Sequence, residues 1–188
     1  MVSIEVITRL SETLKPLSHE QGANAAVSLL LISRRGDIEL LLVKRVENSA
    51  DTWSGQMALP GGKREQKDRS LTDTVMRETL EETGVELNRR QFLGVLDVVH
   101  SKPKSDFKIL PFVALLEVDP QLKLNTAELK RFIWVPYEEI VQNERIVRFS
   151  FGEVPAYIFA GDIVWGITYD ILSGFIKAVE TTQKKRDI

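Results

Sequence analysis

The chain has 188 residues, 43% hydrophobic and 28% charged, with a formal net charge of −2 and no cysteine. That length suits one domain around one core; the charge speaks against a basic nucleic-acid surface; and the missing thiols exclude a disulfide framework and a thiolate site. Met1 to Lys15 holds no continuous apolar stretch, and the longest apolar run, near Val27–Ile32, is too short for a bilayer, so an intracellular, cytoplasmic protein with no membrane partner is expected.

In chain order, Ile4, Ile7, Leu10 and Leu14 recur at helical spacing and predict an amphipathic helix over residues 3–16. Residues 24–33 and 38–45 read as strands joined by a hairpin turn at Arg35-Gly36-Asp37. Residues 46–56 are polar and aperiodic and read as a loop, and Pro60-Gly61-Gly62 reads as a turn. Ser70 or Thr72 can cap a helix that runs to Thr83, with Gly84 where a left-handed C-cap belongs. Phe92–Val99 and Ile109–Val118 read as strands, and the loop between them, His100–Lys108, carries Lys102, Lys104 and Lys108. Phe132–Val135 is a short strand stopped by Pro136, and Tyr137–Val141 starts a short helix. Residues 163–180 read as a long helix with Ile163, Ile167, Ile171 and Phe175 on one stripe, either a core face or a homodimer contact; Gln183–Arg186 is expected to fray. There is no repeat, linker or low-complexity stretch. The order predicts a single α/β domain over 1–188, a mixed sheet flanked by helices.

The chemistry concentrates in Arg77-Glu78-Thr79-Leu80-Glu81-Glu82-Thr83-Gly84. On a helix Glu78, Glu81 and Glu82 share one face. Three crowded anions repel, and a hard divalent cation such as Mg²⁺ is the usual reason to keep them together. Glu78 and Glu82, one turn apart, can grip an ion, while Glu81 can hold a second or take a proton from water. Such ions would neutralise a pyrophosphate and lower the pKa of an attacking water. The Gly61-Gly62 turn lets the backbone approach, and a carbonyl there can complete the shell. The Arg77 fork can fix a carboxylate bidentately. Clustered Glu and Arg are usually a solvated helix face, but these five fixed identities below a Gly-Gly turn make coincidence a poor explanation.

Gly62-x5-Asp68-x8-Arg77-Glu78-Thr79-x-Glu81-Glu82-x-Gly84-Val85 resembles the Nudix box, usually written G-x5-E-x7-R-E-U-x-E-E-x-G-U with U bulky and aliphatic. That box marks hydrolases of nucleoside diphosphates linked to another moiety. Asp68 replaces the first Glu, one extra residue precedes Arg77, and Thr79 takes an aliphatic position. The first two departures, the Gly55-Gln56-Met57-Ala58-Leu59-Pro60-Gly61-Gly62 lead-in and Val164-Trp165-Gly166-Ile167-Thr168 are similar to the coenzyme A pyrophosphatase branch. Leu41-Leu42-Val43-Lys44-Arg45-Val46 begins that branch's upstream motif, but Ala50, Asp51 and Thr52 stand where its second arginine belongs.

The resemblance implies a Nudix α/β/α sandwich, with the box over 62–85 and a catalytic helix near 71–83. It implies Mg²⁺- or Mn²⁺-dependent hydrolysis of a pyrophosphate bond in a small-molecule nucleotide. Coenzyme A or an acyl-coenzyme A leads. ADP-ribose or another nucleoside diphosphate derivative is the alternative, and a non-catalytic nucleotide-binding module is the alternative from another class. By the same resemblance Glu78, Glu82, Glu81, Gly62 and Glu128 are the metal ligands, Glu128 reaching in from a loop. Glu81, Arg77 and Glu78 are catalytic, and Arg45, Gly61, Lys63, Asp68 and Trp53 contact substrate. The three loop lysines and His100 are weaker candidates, and Trp134 and Trp165 are expected in the core. No basic patch with interleaved aromatics suggests RNA.

Overall fold

The computed structural model describes residues 2–48, 53–101 and 106–186. Lys102, Lys104 and the Ala50–Thr52 stretch lie outside them. The apolar runs at 25–32 and 38–43 do not alternate with polar residues, the pattern of strands buried on both faces. They form β1 (Ala25–Arg34) and β2 (Asp37–Arg45), in which Leu29–Leu31 and Leu40–Leu42 are wholly buried. Around them the chain adds α1 (Ile4–Thr8), β3 (Met57–Ala58), β4 (Gly61–Lys63), α2 (Leu71–Thr83), β5 (Phe92–Val95), β6 (Val99–His100), β7 (Lys108–Leu116), β8 (Leu129–Pro136) and α3 (Tyr137–Gln142). It closes with β9 (Glu144–Phe149), β10 (Gly152–Phe159), β11 (Asp162–Trp165) and α4 (Gly166–Arg186).

Eight strands make one mixed sheet. β1 runs parallel to β7, and β2 lies between β1 and β8, antiparallel to both. Successive side chains take opposite faces. Leu29, Leu31, Leu40 and Leu42 pack with Val6, Ile7 and Leu10 from the N-terminus and with Ile171, Leu172 and Phe175 of α4. Leu30, Ile32, Leu41 and Val43 pack with Leu71 and Val75 of α2 on the other side. The expected α/β/α sandwich is the observed one. Of the stripe read over 163–180, Ile171 and Phe175 are buried in this core. Among the described residues no helix is long and apolar enough to cross a membrane.

The sheet forks at the point that matters for chemistry. β1 and β2 pair only from Leu31↔Leu40 to Arg34↔Asp37. Continued, that register would set Val27 opposite Lys44. Instead Val27 pairs with Gly61 of β4, and Lys44 with Met57 of β3. The turn expected at Pro60-Gly61-Gly62 is therefore a strand inserted beside β1. Glycine is required there: Gly61 has φ +148°, and a Cβ on it would lie 2.2 Å from the Ala26 carbonyl oxygen.

Four other expectations are corrected. The first helix is only α1 plus a 3₁₀ turn to Glu12. Pro16 drives Lys15 to an extended shape, and Lys15 exchanges backbone hydrogen bonds with Val95. The strand read over Phe92–Val99 is two, β5 and β6, with its gap opposite Pro111 of β7. Pro111 has no N–H to give a neighbour, and its carbonyl accepts from Leu96 N–H at 3.0 Å. Ile163 and Val164 belong to β11; α4 begins at Gly166, which turns the chain at φ +62°, and continues through the tail expected to fray. The three-stranded meander β9–β10–β11 answers to no sequence expectation.

Helix α2 meets the sheet through threonines. Thr72, Thr74, Thr79 and Thr83 are all buried. Thr79, the departure from an aliphatic position, places its hydroxyl 2.9 Å from that of Ser28 on β1, and Ser28 donates to the Pro60 carbonyl. Each hydroxyl answers the other, as buried polar groups must. Thr79→Val and Ser28→Ala should each cost about 1 kcal/mol, and the double variant less than the sum, because both single changes break the same bond and Ser28→Ala alone strands the Thr79 hydroxyl. Urea denaturation of the four proteins reads the coupling; strict additivity would contradict the pairing.

Candidate active site

Helix α2 is fixed at both ends. Ser70 accepts the Asp73 N–H and the Glu20 carboxylate accepts that of Leu71, satisfying donors of the first turn. Gly84, at φ +73°, ends the helix in the left-handed region. The loop after β7 then docks on the spare carbonyls: Lys123 N–H donates to Thr83 O at 2.8 Å and Asn125 N–H to Glu82 O at 2.9 Å. This docking brings Glu128 to the helix. The Asn125 side chain donates to the Glu128 carboxylate at 2.9 Å and accepts the Ala127 N–H at 3.2 Å.

A cleft of about 330 Å³ opens at the fork in the sheet. Glu78, Glu82 and Glu128 line it together with Arg45 and Lys63. Glu82 is only 3% exposed and accepts the Gly61 N–H at 2.9 Å. Burial pushes its carboxyl up to about 8, and burial also raises that of Glu78. A Cβ on Gly62 would sit 2.5 Å from Glu78 Oε1, so the glycine makes room for that carboxylate. Bonded pairs alternate along an antiparallel ladder. Ser28 N–H to Pro60 O and Arg64 N–H to Asn24 O put Ala26 and Gly62 in the bonded position. The Gly62 carbonyl is thus turned toward β1, and it is Gly61 whose N–H and carbonyl share the helix side.

Arg77 organises the acids. Its Nε and Nη2 grip Asp68 at 3.1 and 2.9 Å, Nη2 also donates to the Lys63 carbonyl, and Nη1 donates to Glu78 at 2.8 Å and Glu81 at 3.1 Å. Asp68 further accepts from Glu65 N–H and the Thr74 hydroxyl. Arg77 beside it holds the Asp68 carboxyl well below the usual range, and Asp68 in turn raises Arg77.

The cleft thus brings together Arg45, Trp53, Gly61, Gly62, Lys63, Glu78, Glu82 and Glu128. Asp68, expected to touch substrate, is buried under Arg77 and outside the cleft wall; it positions the arginine. Glu81 does not line the cleft; it is half-exposed and bound to Arg77. Lys108 and His100 do not line the cleft. Trp134 carries the Arg34 guanidinium 4.6 Å above its ring. Trp165, expected in the core, lines a neighbouring cavity. Sequence reasoning missed Asn125 and Phe107, and it singled out Ile167 and Thr168 only as parts of a motif and a core stripe, with no place in the cleft. The Asn-x-x-Glu spacing of an Asx turn was the available signal for Asn125; the bond by which Thr168 donates to Met57 O at 3.2 Å depends on β3.

The donor set suits a hard divalent cation: carboxylates of Glu78, Glu82 and Glu128 with a backbone carbonyl. The buried Glu82 and the room left at Gly62 fit such an ion. Among the described residues no three of the acids yet stand as a closed ligand cage; they border the cleft, with Arg77 holding Glu78 and Glu81.

The NUDIX domain family model matches residues 22–155. An uncharacterized Schizosaccharomyces pombe protein is 38% identical over 111 residues, covering 56% of this chain and 34% of that protein. The mitochondrial coenzyme A diphosphatase of Homo sapiens is 30% identical over 155 residues, 78% of this chain and 65% of its own. The chain therefore spans only part of each relative. A MutT/nudix family protein from Enterococcus faecalis superposes with a TM-score of 0.60 at 18% identity, over 96% of this chain and 76% of that one, a likeness of fold.

Asp68→Asn should destabilise the protein by about 3 kcal/mol at neutral pH, because it leaves a buried guanidinium short of its partner. Asp68 is depressed in the folded state, so its contribution is present above its ordinary pKa and fades as pH falls toward the folded value. The gap between wild type and Asp68→Asn in urea should narrow steadily below about pH 4. A gap independent of pH would contradict the ion pair.

Proposed function

Because the chain belongs to the Nudix hydrolase family, we propose that it hydrolyses the pyrophosphate bond of a nucleoside diphosphate derivative with a divalent cation, Mg²⁺ or Mn²⁺. The observation that carries this reading is one cleft lined by the carboxylates of Glu78, the buried Glu82 and Glu128 for a cation and by Arg45 and Lys63 for phosphates. When bound, the cation neutralises pyrophosphate charge and makes water more acidic. Glu78 and Glu82 would hold it, with Glu128 and the Gly61 carbonyl beside them. Arg77 orients Glu78 and Glu81, and in this reading half-exposed Glu81 takes a proton from water. Arg45 and Lys63 bind phosphate oxygens. Water attacks one phosphorus, the bridging oxygen leaves with the other, and two phosphate monoesters result.

Coenzyme A or an acyl-coenzyme A is the leading substrate. The Gly55–Gly62 lead-in and the 30% identity to the human coenzyme A diphosphatase support it. One feature favours ADP-ribose or a similar derivative instead: Ala50, Asp51 and Thr52 replace the basic residue that would meet the extra phosphate of coenzyme A.

Chromatography of reaction products decides between the two. Coenzyme A should yield 4′-phosphopantetheine and adenosine 3′,5′-bisphosphate; AMP and ribose 5-phosphate from ADP-ribose alone would overturn the substrate. Glu81→Gln and Glu82→Gln should each slow turnover about a hundredfold or more while the melting temperature stays at or above that of wild type. Unchanged turnover in both would remove the carboxylates from the reaction.

A further inference from the structure

Beside the carboxylate cleft lies a second cavity, of about 480 Å³, which shares Trp53, Gln56 and Ile167 with the first. Five rings line it: Trp53, His100, Phe151, Trp165 and Tyr169. The meander and the start of α4 build most of this wall. Phe151, at the turn between β9 and β10, stacks on Phe149 with centroids 5.2 Å apart and planes 6° from parallel. Trp165, at the end of β11, tilts against both rings at 5.1 and 5.6 Å. Tyr169, in the first turn of α4, is backed by Tyr157 at 4.9 Å, and its hydroxyl is tied to the Glu144 carboxylate. Trp53 in turn rests against Phe107, 5.3 Å away.

These rings are held by other rings, yet they do not make a closed core. Phe151 keeps 64% of its surface in solvent. A large ring left open on a hairpin tip gains by being covered, and what covers it here must also suit the polar groups Gln56 and Asp170 on the same wall. A pantetheine arm could also meet those polar groups, but it has no ring face to lay on the aromatic walls. Ring faces beside an amide and a carboxylate suit a planar heterocycle that stacks and carries an amine. The shared wall sets this cavity next to the place proposed for the phosphates.

We propose that the aromatic cavity of the meander seats the amino-bearing purine base of the nucleotide whose phosphates lie in the carboxylate cleft, an inference that rests on the phosphate reading of that cleft. The base stacks on the Phe151–Trp165 platform, and Gln56 and Asp170 read its edge. The meander, absent from the sequence expectations, becomes the part of the fold that tells a nucleotide from a bare phosphate ester.

Calorimetry on the full chain with Mg²⁺ tests this without any hydrolysis, using AMP, ribose 5-phosphate and 4′-phosphopantetheine as probes. Wild type should bind AMP about tenfold or more tightly than ribose 5-phosphate, and AMP should quench tryptophan emission. Phe151→Ala, at an exposed position, should remove most of that advantage and leave ribose 5-phosphate and phosphopantetheine within about twofold; Trp165→Leu should do the same and weaken the quench. Loss of phosphopantetheine binding with AMP spared would give the cavity to a pantetheine arm and overturn the proposal, as would AMP affinity indifferent to both variants. Coenzyme A and ADP-ribose turnover is read separately in wild type. If neither is cleaved while Phe151→Ala still weakens AMP, the hydrolase reading fails and the base site stands.

Discussion

Arg77 stands among more anions than it can neutralise. It forms ion pairs with Asp68, Glu78, Glu81 and Glu65 and also holds the Lys63 carbonyl. Only Asp68 takes it bidentately, from beneath and away from water, so the guanidinium plane is set by that buried pair. The remaining donors then dictate where Glu78 and Glu81 turn. Glu82 lies outside this grip, with its carboxylate on the Gly61 amide. One cation thus divides a crowded helix face into acids that are already answered and one that is buried and under-answered. The tertiary structure serves this division: β4 must come close enough to offer its backbone, and α2 must present its acids at the fork in the sheet.

Both demands are met by small residues and hydroxyls. Gly61 permits the approach of β4 to β1, and Gly62 the approach of Glu78 to β4. The Ser28–Thr79 pair fastens α2 to β1 without the bulk of a leucine. The C-terminal carbonyls of α2, which any helix leaves unpaired, are used to dock the loop that carries Glu128. The site is therefore assembled from backbone groups as much as side chains, which keeps its parts in fixed relation before any ligand arrives. The second cavity continues this assembly on the far side of Trp53 and Ile167.

What could be read from the sequence was whatever local spacing controls. Helical periodicity placed Glu78, Glu81 and Glu82 together, the Ser70 cap and Gly84 bounded α2, and the unbroken apolar runs gave β1 and β2. What could not be read depends on partners distant in the chain. Pro60-Gly61-Gly62 has the composition of a turn, and only the divergence of β1 from β2 makes it a strand. Asp68 has the look of a surface acid until Arg77, nine residues on, is seen to cover it. Ile163 and Val164 continue the stripe of α4 in sequence, but β10 claims them for a sheet. In the meander, Arg145, Arg148 and Glu153 break any apolar pattern over β9 and the start of β10, so its aromatic residues seemed scattered until folding brought Phe149, Phe151 and Trp165 together.

Manganese binding in the absence of any nucleotide is the most direct measurement of the cleft. Electron paramagnetic resonance counts free Mn²⁺ in titrations of wild type and Glu82→Gln at pH 8. A cleft organised around a buried, under-answered Glu82 predicts that wild type depletes the free-ion signal and that Glu82→Gln binds at least about tenfold more weakly. Equal depletion by the two proteins would contradict it.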